Sequence, residues 1–147
     1  MKTLRWILRL AIAGVFGFAA VTKLADPGAF ADAIQTYHLI PPRLAALVAV
    51  WLPWLELVAG LALLWPRHAP AAGRLLAALT ALFLLALAQA WLRGIDLRCG
   101  CFGGDATVAG AGYLGPIGRD ALLLGAIGTQ LWLERRGAAA APAGSGS

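Results

Sequence analysis

The chain has 147 residues, of which 61% are hydrophobic and only 13% are charged. This composition lies outside the range of soluble globular domains, in which about half of the residues are apolar and about a quarter are charged. A net charge of +5 would suggest nucleic acid as a partner of a soluble protein. Here the basic residues lie near the ends of apolar runs, where they anchor membrane helices. We therefore expect one membrane domain that contacts lipid and does not bind nucleic acid.

The first predicted span covers residues 4–22, an apolar run that is preceded by Lys2 and interrupted by Arg9 about one turn inside. About 20 apolar residues in a helix are long enough to cross a hydrocarbon core of about 30 Å. The basic start and the small residues near Ala19 also resemble a signal peptide. The length of the run and the position of Arg9 favour a helix that is retained.

A short amphipathic helix is predicted over residues 27–37. Asp26 can cap the first backbone N–H groups of this helix, and the fixed φ of Pro27 suits its first position. Its large apolar residues recur at helical spacing: Phe30, Ile34 and Tyr37. We expect this helix to lie at the membrane interface, with its apolar face toward the bundle or the lipid.

Three further spans follow along the chain. They are predicted from about Arg43 to Trp65, from Ala69 to Trp91 or Leu92, and from Tyr113 to Leu133. The predicted fold class is an all-α membrane protein, a four-transmembrane-helix bundle with a short interfacial helix after the first span. The bundle is assigned to residues 1–136, and the low-complexity tail at 137–147 is predicted to be disordered.

Lysine and arginine are divided unevenly between the two sides of this bundle. One side has seven, namely Lys2, Arg5, Arg9, Arg67, Arg74, Arg135 and Arg136, and the other has five, namely Lys23, Arg43, Arg93, Arg98 and Arg119. Basic residues favour the cytoplasmic side. We therefore expect a bacterial inner (cytoplasmic) membrane protein with both termini in the cytoplasm and the loop after the third span outside.

That loop, with the sequence LRCGCFGG, holds both cysteines of the chain. Cys99 and Cys101 can bring their Cα atoms within about 4.4–6.8 Å if the chain bends, which Gly100 permits by accepting positive φ. Closing a one-residue loop gives little entropic stabilisation, and a strained disulfide is easier to reduce. Arg98 favours the reactive thiolate of Cys99 by its charge. The pattern predicts redox cycling in an oxidising compartment.

Other interpretations of the cysteine pair stay open. They are an incidental pair of small apolar residues, a local structural disulfide, and a site for a soft ion such as Cu(I). Zinc needs about four ligands, and the two histidines, His38 and His68, are expected on opposite sides of the membrane. We therefore predict no zinc site, and neither histidine has neighbours that suggest catalysis.

Glu56 lies about 12 residues into the second span, hence about 18 Å along the helix and near the middle of the hydrocarbon. A charge there costs at least about 2.5 kcal/mol, so we expect Glu56 to be protonated or paired within the bundle. It is a candidate for proton exchange or for a polar contact between helices. Trp54, beside Trp51 and the helix-distorting Pro53, is a candidate with Glu56 for lining a quinone pocket, and the alternative is packing against lipid.

Three charged residues are predicted at outer helix ends, on the side of the cysteine loop: Lys23, Arg119 and Asp120. Arg119 and Asp120 are adjacent and point in different directions on a helix, which argues against a mutual pair. Lys23 with Asp120 is a candidate contact between helices, and Gln89 is a candidate hydrogen-bond partner. Ordinary anchoring at the interface is the alternative.

Four motifs in this order resemble the MauE branch of the DoxX-like membrane protein family. They follow the first span, lie in the second, follow the third and open the fourth: TKLADPGAF, LPWLELVAG, RCGCFGG and GRDALLL. The resemblance covers about residues 5–133. It implies a four-helix membrane bundle associated with redox maturation of exported proteins, alongside a thioredoxin-like partner. Cys99 and Cys101 match the cysteine motif of the family.

Together these features predict a membrane thiol-disulfide oxidoreductase with Cys99 and Cys101 as its reactive pair. Its expected partner is a periplasmic thioredoxin-like protein or a cysteine-containing client, and a quinone is a candidate cofactor. The predicted supporting residues are Arg98, Gly100, Glu56, Lys23, Arg119 and Asp120. Two alternatives stay open: a non-enzymatic maturation factor for a periplasmic redox enzyme, and a Cu(I) carrier.

Overall fold

A computed structural model describes residues 2–95, 97–98, 107–108 and 110–139 of the protein. Its five α-helices are α1 (Lys2–Ala25), α2 (Pro27–Thr36), α3 (Pro42–Ala62), α4 (Ala69–Leu92) and α5 (Leu114–Ala139). Between α4 and α5 lie two short strands, β1 (Leu97–Arg98) and β2 (Thr107–Val108), and a 3-10 turn at Gly110–Tyr113. The described chain is thus helical apart from this small ladder.

Four helices form a ring of neighbours. α1 packs against α3 and α5, and α4 packs against the same two helices. Small residues allow the backbones to approach closely, as expected of helices that pack within a membrane. A Cβ added at Gly73 of α4, for example, would lie 2.9 Å from both Gln130 Oε1 and Leu131 Cδ2 of α5. The main core is built of apolar residues from all four helices: Ile12, Phe16, Ala59, Leu63, Leu76 and Ile127.

In the part of the chain that the structure describes, three helices are long and apolar enough to cross a membrane: Thr3–Ala25, Pro42–Ala62 and Ala69–Leu92. They match the first three predicted spans, although the first is longer at both ends and the second ends at Ala62 instead of Trp65. α5 has 26 residues but contains several glycines and charged residues, which lower its hydropathy. It continues to Ala139 and so includes the first residues of the predicted tail. Membrane crossing by α5 stays a prediction.

The outer faces of the three apolar helices carry large exposed side chains. Examples are Ile7, Phe18 and Val21 of α1, Leu47, Trp51 and Val58 of α3, and Leu82 and Leu85 of α4. An apolar surface of this extent is unfavourable in water and marks a surface that contacts protein or lipid. Together with the length of the helices, it indicates a membrane protein.

The local sequence explains α2. The Asp26 carboxylate accepts a hydrogen bond of 2.9 Å from the backbone N–H of Ala29, and Pro27 occupies the first turn. Phe30 and Tyr37 are buried, as the amphipathic pattern predicts. The helix packs mainly on α3. Its location at the membrane interface stays a prediction.

The end of α1 lies beside the middle of α4. The ammonium of Lys23, in the last turn of α1, lies 5.1 Å from the ring centroid of Phe83, close to the midpoint of the 24-residue α4. α2 then continues beside α3, and Tyr37 packs with Leu87 and Tyr113 near the far end of α4. α1 and α2 together therefore accompany α3.

Candidate functional site

Four charged side chains surround one cavity at the middle of the bundle. We call them the central cluster: Lys23 of α1, Glu56 of α3, and Arg119 and Asp120 of α5. The cavity has a volume of about 40 Å³ and is completed by apolar residues and by Thr80, at the midpoint of α4. Four of the six supporting residues that the sequence predicted are thus brought together in one place.

Lys23 and Glu56 form a buried ion pair between α1 and α3. The Lys23 ammonium donates to both carboxylate oxygens, at 2.8 Å to Oε1 and 2.7 Å to Oε2. Their side chains are 3% and 4% exposed. The rings of Phe30 and Phe83 also lie 5.2 and 5.1 Å from the ammonium, within the range of cation–π attraction. Glu56 is therefore paired, one of the two states predicted for it.

Arg119 and Asp120 pair with each other. Both Nε and Nη2 of Arg119 lie 2.9 Å from Asp120 Oδ1. The prediction that adjacent residues would not pair was wrong, because the long arginine side chain folds back across the roughly 100° that separates neighbouring positions on a helix. Lys23 was predicted to contact Asp120, but in the structure it pairs with Glu56.

The sequence placed three residues of the central cluster at helix ends. Lys23 is in the last turn of α1, and Arg119 and Asp120 are in the second turn of α5. These turns meet beside Thr80, at the middle of α4. The predicted location of these residues on the side of the cysteine loop stays a prediction.

The central cluster is chemically suited to hold water. Two cationic and two anionic side chains give it a formal charge of zero, and all four have polar partners. A cavity needs about 10–15 Å³ for one water molecule and two to four polar partners around it. A volume of about 40 Å³ therefore has room for a few water molecules, and proton exchange by Glu56 stays a prediction.

A quinone does not fit this cavity. Pockets for organic ligands have volumes of about 300–1,000 Å³. Trp54, the other predicted quinone contact, is 53% exposed on the outer face of α3, whereas Glu56 is 3% exposed and faces inward. The two side chains do not line a common pocket. A quinone as cofactor stays a prediction.

Two short strands that flank the cysteine motif in the sequence pair with each other at one end of the bundle. β1 and β2 pair antiparallel, with Leu97 opposite Val108 and Arg98 opposite Thr107. Segment 99–106, which includes Cys99, Gly100 and Cys101, lies outside the described residues, but it begins and ends at this pair of strands. The Tyr113 hydroxyl donates to the carbonyl of Ile95 and ties the start of α5 to the end of α4.

Sequence reasoning did not find this ladder. The signal available for it was weak: Thr107 and Val108 are β-branched residues of the kind that favour strands. A two-residue strand is too short for a pattern of alternating side chains to be recognised. The backbone position of Arg98 in β1, directly before Cys99, is in keeping with its predicted supporting role.

A second buried ion pair was also missed. Arg9 Nη2 lies 2.6 Å from Glu134 Oε1, and Gln130 donates to the same oxygen at 3.3 Å. We call Arg9 and Glu134 the terminal pair, because it joins residues near the two ends of the chain. The sequence contained a signal for it, since an arginine inside an apolar span needs a partner and Glu134 is the only acidic residue after Asp120.

Three further predicted residues have no role in either pair. Both amide atoms of Gln89 are buried without a hydrogen-bond partner among the described residues, so its predicted hydrogen bond between helices is not formed there. His38 precedes α3 and His68 precedes α4, at opposite ends of α3. Within the described ranges, no three His, Cys, Asp or Glu residues are grouped to hold a metal ion.

The apolar outer faces, the ring of helices and the buried ion pairs define a small helical membrane protein with charged residues inside its bundle. The chain belongs to the MauE family, because the family model described as methylamine utilisation protein MauE matches residues 1–133. This finding confirms the family that the four sequence motifs indicated.

Named relatives support this assignment. The methylamine utilization protein MauE of Methylophilus methylotrophus is 38% identical over 100 residues, which are 67% of this chain and 53% of the relative. The MauE proteins of Paracoccus denitrificans and Paracoccus versutus are 34% and 36% identical, over 66% and 67% of this chain and 53% and 54% of theirs. The chain thus spans about half the length of these relatives. No solved structure matches it significantly.

Proposed function

We propose that the protein is a membrane thiol-disulfide oxidoreductase that supports the maturation of exported proteins through Cys99 and Cys101. The observation that carries this proposal is the β1–β2 ladder, since its paired residues Arg98 and Thr107 bracket the segment with both cysteines. The strands that flank these cysteines lie at one end of the helices, and this supports a role of the motif in contact with a partner protein. The names of the relatives associate them with methylamine utilisation, and we extend that association to this chain.

The reaction follows from thiol chemistry. A thiolate of the partner attacks one sulfur of the Cys99–Cys101 disulfide, which forms a mixed disulfide and releases the other cysteine as a thiolate. A second thiolate of the partner then attacks its own sulfur in the mixed disulfide. The partner leaves with a new disulfide, and Cys99 and Cys101 remain reduced with two electrons gained. The disulfide of a thioredoxin-like protein accepts these electrons by the same exchange, and the reverse sequence reduces the partner.

The proposed topology has four spans, with α5 as the fourth, and both termini in the cytoplasm of a bacterium with an inner membrane. Arg9 and Glu134 are close to the two ends of the chain and contact each other, so these ends share one side of the bundle. β1 and β2 follow α4 at the opposite side, next to α2. With the cysteines outside, the partner is a periplasmic thioredoxin-like protein or a client that contains cysteines.

The experiment that tests this function uses the two single-cysteine variants. Cys99→Ser or Cys101→Ser leaves one thiol, which can attack the disulfide of an oxidised partner; the mixed disulfide accumulates because this chain then lacks the second thiolate that would resolve it. We expect one of the variants to form a covalent adduct in membranes that disappears on reduction and can be identified by mass spectrometry. The double variant Cys99→Ser/Cys101→Ser is the matched control. If neither single variant forms an adduct under oxidising or reducing conditions, the proposal is wrong.

Complementation separates this function from its alternatives. The double variant should fail to support the maturation of the client that the single variants trap. Full maturation with the double variant would identify a scaffold in which the cysteines have no redox role. Retention of one Cu(I) ion by the reduced protein, lost in the double variant, would identify a metal carrier instead.

A further inference from the structure

A second pocket opens at the end of the bundle opposite the β1–β2 ladder. It has a volume of about 190 Å³ and is lined by Arg5, Trp6, Arg9, Pro66 and Glu134. Arg5 and Arg9 are four residues apart on α1 and therefore lie on one face of that helix. We call this the arginine pocket. It is separate from the cysteine segment and from the central cluster.

The two arginines have hydrogen-bond capacity that the described part of the chain does not use. Arg9 is only 4% exposed, and although its Nη2 contacts Glu134, its Nε has no hydrogen-bond partner there. Arg5 forms no hydrogen bond or ion pair with any residue that the structure describes. A buried N–H group without an acceptor is unfavourable. The pocket therefore lacks an acceptor for these donors.

The charge at this end favours an anion. Basic residues near the pocket are Arg5, Arg9, Arg67, Arg135 and Arg136, whereas Glu134 is the only acidic residue that lines it. Glu134 Oε1 already accepts from both Arg9 and Gln130. The planar guanidinium of arginine matches the oxygens of a phosphate group, to which it can donate two hydrogen bonds at once.

The arginine pocket borders the surface that faces lipid. Trp6, in its lining, is 46% exposed, and the neighbouring Leu4, Ile7 and Leu10 are exposed to similar or greater extents. Tryptophan at the end of a membrane helix is typical of the level of the lipid headgroups. We propose that the arginine pocket binds the phosphodiester group of an anionic membrane lipid, with Arg5 and Arg9 as its donors.

Native mass spectrometry of the full chain in detergent, titrated with phosphatidylglycerol, tests this proposal. We expect tighter binding of phosphatidylglycerol than of phosphatidylcholine, whose phosphodiester is neutralised by choline. Arg5→Gln should weaken phosphatidylglycerol binding about tenfold, the effect of losing one charge-assisted hydrogen bond. Arg93→Gln, which removes an exposed arginine at the C-terminal end of α4, is the matched control and should bind normally.

A second variant moves Arg5 without removing its charge. A Cβ at position 137 would overlap Arg5 Nη1, so Gly137→Ala forces the guanidinium to shift. It should weaken binding in the same direction as Arg5→Gln, with circular dichroism confirming that both variants keep their helices. Equal binding of the two lipids, or normal binding by both variants, would overturn the proposal.

Inorganic phosphate distinguishes the source of the bound group. Displacement of phosphatidylglycerol by millimolar phosphate would assign recognition to the phosphate anion alone. Resistance to phosphate would show that the acyl chains on the adjoining lipid-facing surface contribute to binding. If Arg93→Gln weakens binding as much as Arg5→Gln does, the loss is explained by the change in net charge, and the proposal of a specific arginine pocket is wrong.

Discussion

Among the described residues, two buried ion pairs join α1 to another helix: Lys23–Glu56 joins it to α3, and Arg9–Glu134 joins it to α5. Fourteen residues separate Arg9 from Lys23, which is about 21 Å along α1. In the central cluster the ammonium has two carboxylate contacts and two aromatic rings around it. In the terminal pair one guanidinium nitrogen contacts one oxygen, and Nε is left without a partner in the described chain.

The difference indicates separate roles for the two regions. A charge in the interior of a bundle is tolerated only if its partners are complete, and the central cluster meets this condition with a formal charge of zero. The terminal pair lies beside a pocket with excess positive charge, and there a ligand can supply the missing acceptor. We therefore assign a structural role to the central cluster and a binding role to the terminal pair together with the arginine pocket beside it.

The largest expected effect is on the central cluster. Glu56→Ala leaves the ammonium of Lys23 buried without its carboxylate, which should lower the free energy of unfolding by about 3–5 kcal/mol. The double variant Lys23→Met/Glu56→Leu removes both charges and should recover most of this loss. Unfolding in mixed micelles, followed by tryptophan fluorescence, measures both. A double variant no more stable than Glu56→Ala would contradict the pairing.

A smaller effect is expected at the terminal pair. Arg9→Met leaves a carboxylate that is 11% exposed and that still accepts from Gln130, so the loss should be about 1–3 kcal/mol. The same unfolding assay gives the value. The comparison between the two regions fails if Arg9→Met is as destabilising as Glu56→Ala.

The next prediction concerns the packing of α4 against α5 beside the terminal pair. Gly73→Ala places a Cβ too close to Gln130, which donates to Glu134, so we expect a loss of about 1–3 kcal/mol from overpacking. Gly128→Ala is the matched control on α5, because a Cβ there meets nothing within 4 Å. That control should be neutral or slightly stabilising. If both variants lose the same free energy of unfolding, the close contact of Gly73 with Gln130 does not have the role assigned to it.

The smallest effect concerns Arg119 and Asp120. Asp120→Asn keeps the shape of the side chain and removes its charge, while Arg119 is 32% exposed and can be hydrated. The expected loss is therefore about 0–1 kcal/mol, as for a partly exposed pair. A loss as large as that of Glu56→Ala would show that both pairs of the central cluster act as one unit.

Much of the helical structure could be predicted from local sequence. Asp26 and Pro27 identify the start of α2 because a cap and a fixed φ act within one turn, and Phe30 and Tyr37 identify its buried face. The third span was predicted from Ala69 to Trp91 or Leu92, and α4 is Ala69–Leu92. Apolar length is a property of the segment itself, so it needs no knowledge of neighbouring helices.

The candidate site could be predicted only in part. The cost of a charge in the membrane identified Glu56 as a residue that needs a partner. Its partner could not be named, because Lys23 was assigned to the outer end of a span of ordinary length. The Lys23–Glu56 contact depends on how α1 and α3 are aligned when they pack, which no local pattern contains. Arg9 was likewise noticed as a charge inside its span. Its pairing with Glu134 was missed, because the relative heights of α1 and α5 could not be predicted from either helix alone.

By itself the sequence determined the membrane class, the family and the extent of the apolar helices α1, α3 and α4, because each depends on residues that are adjacent or on one helix face. Tertiary structure alone decided which charges meet, how deep they lie and which donors stay without an acceptor. These properties depend on the relative heights of helices that are far apart in the chain. No periodicity within a single helix contains that information.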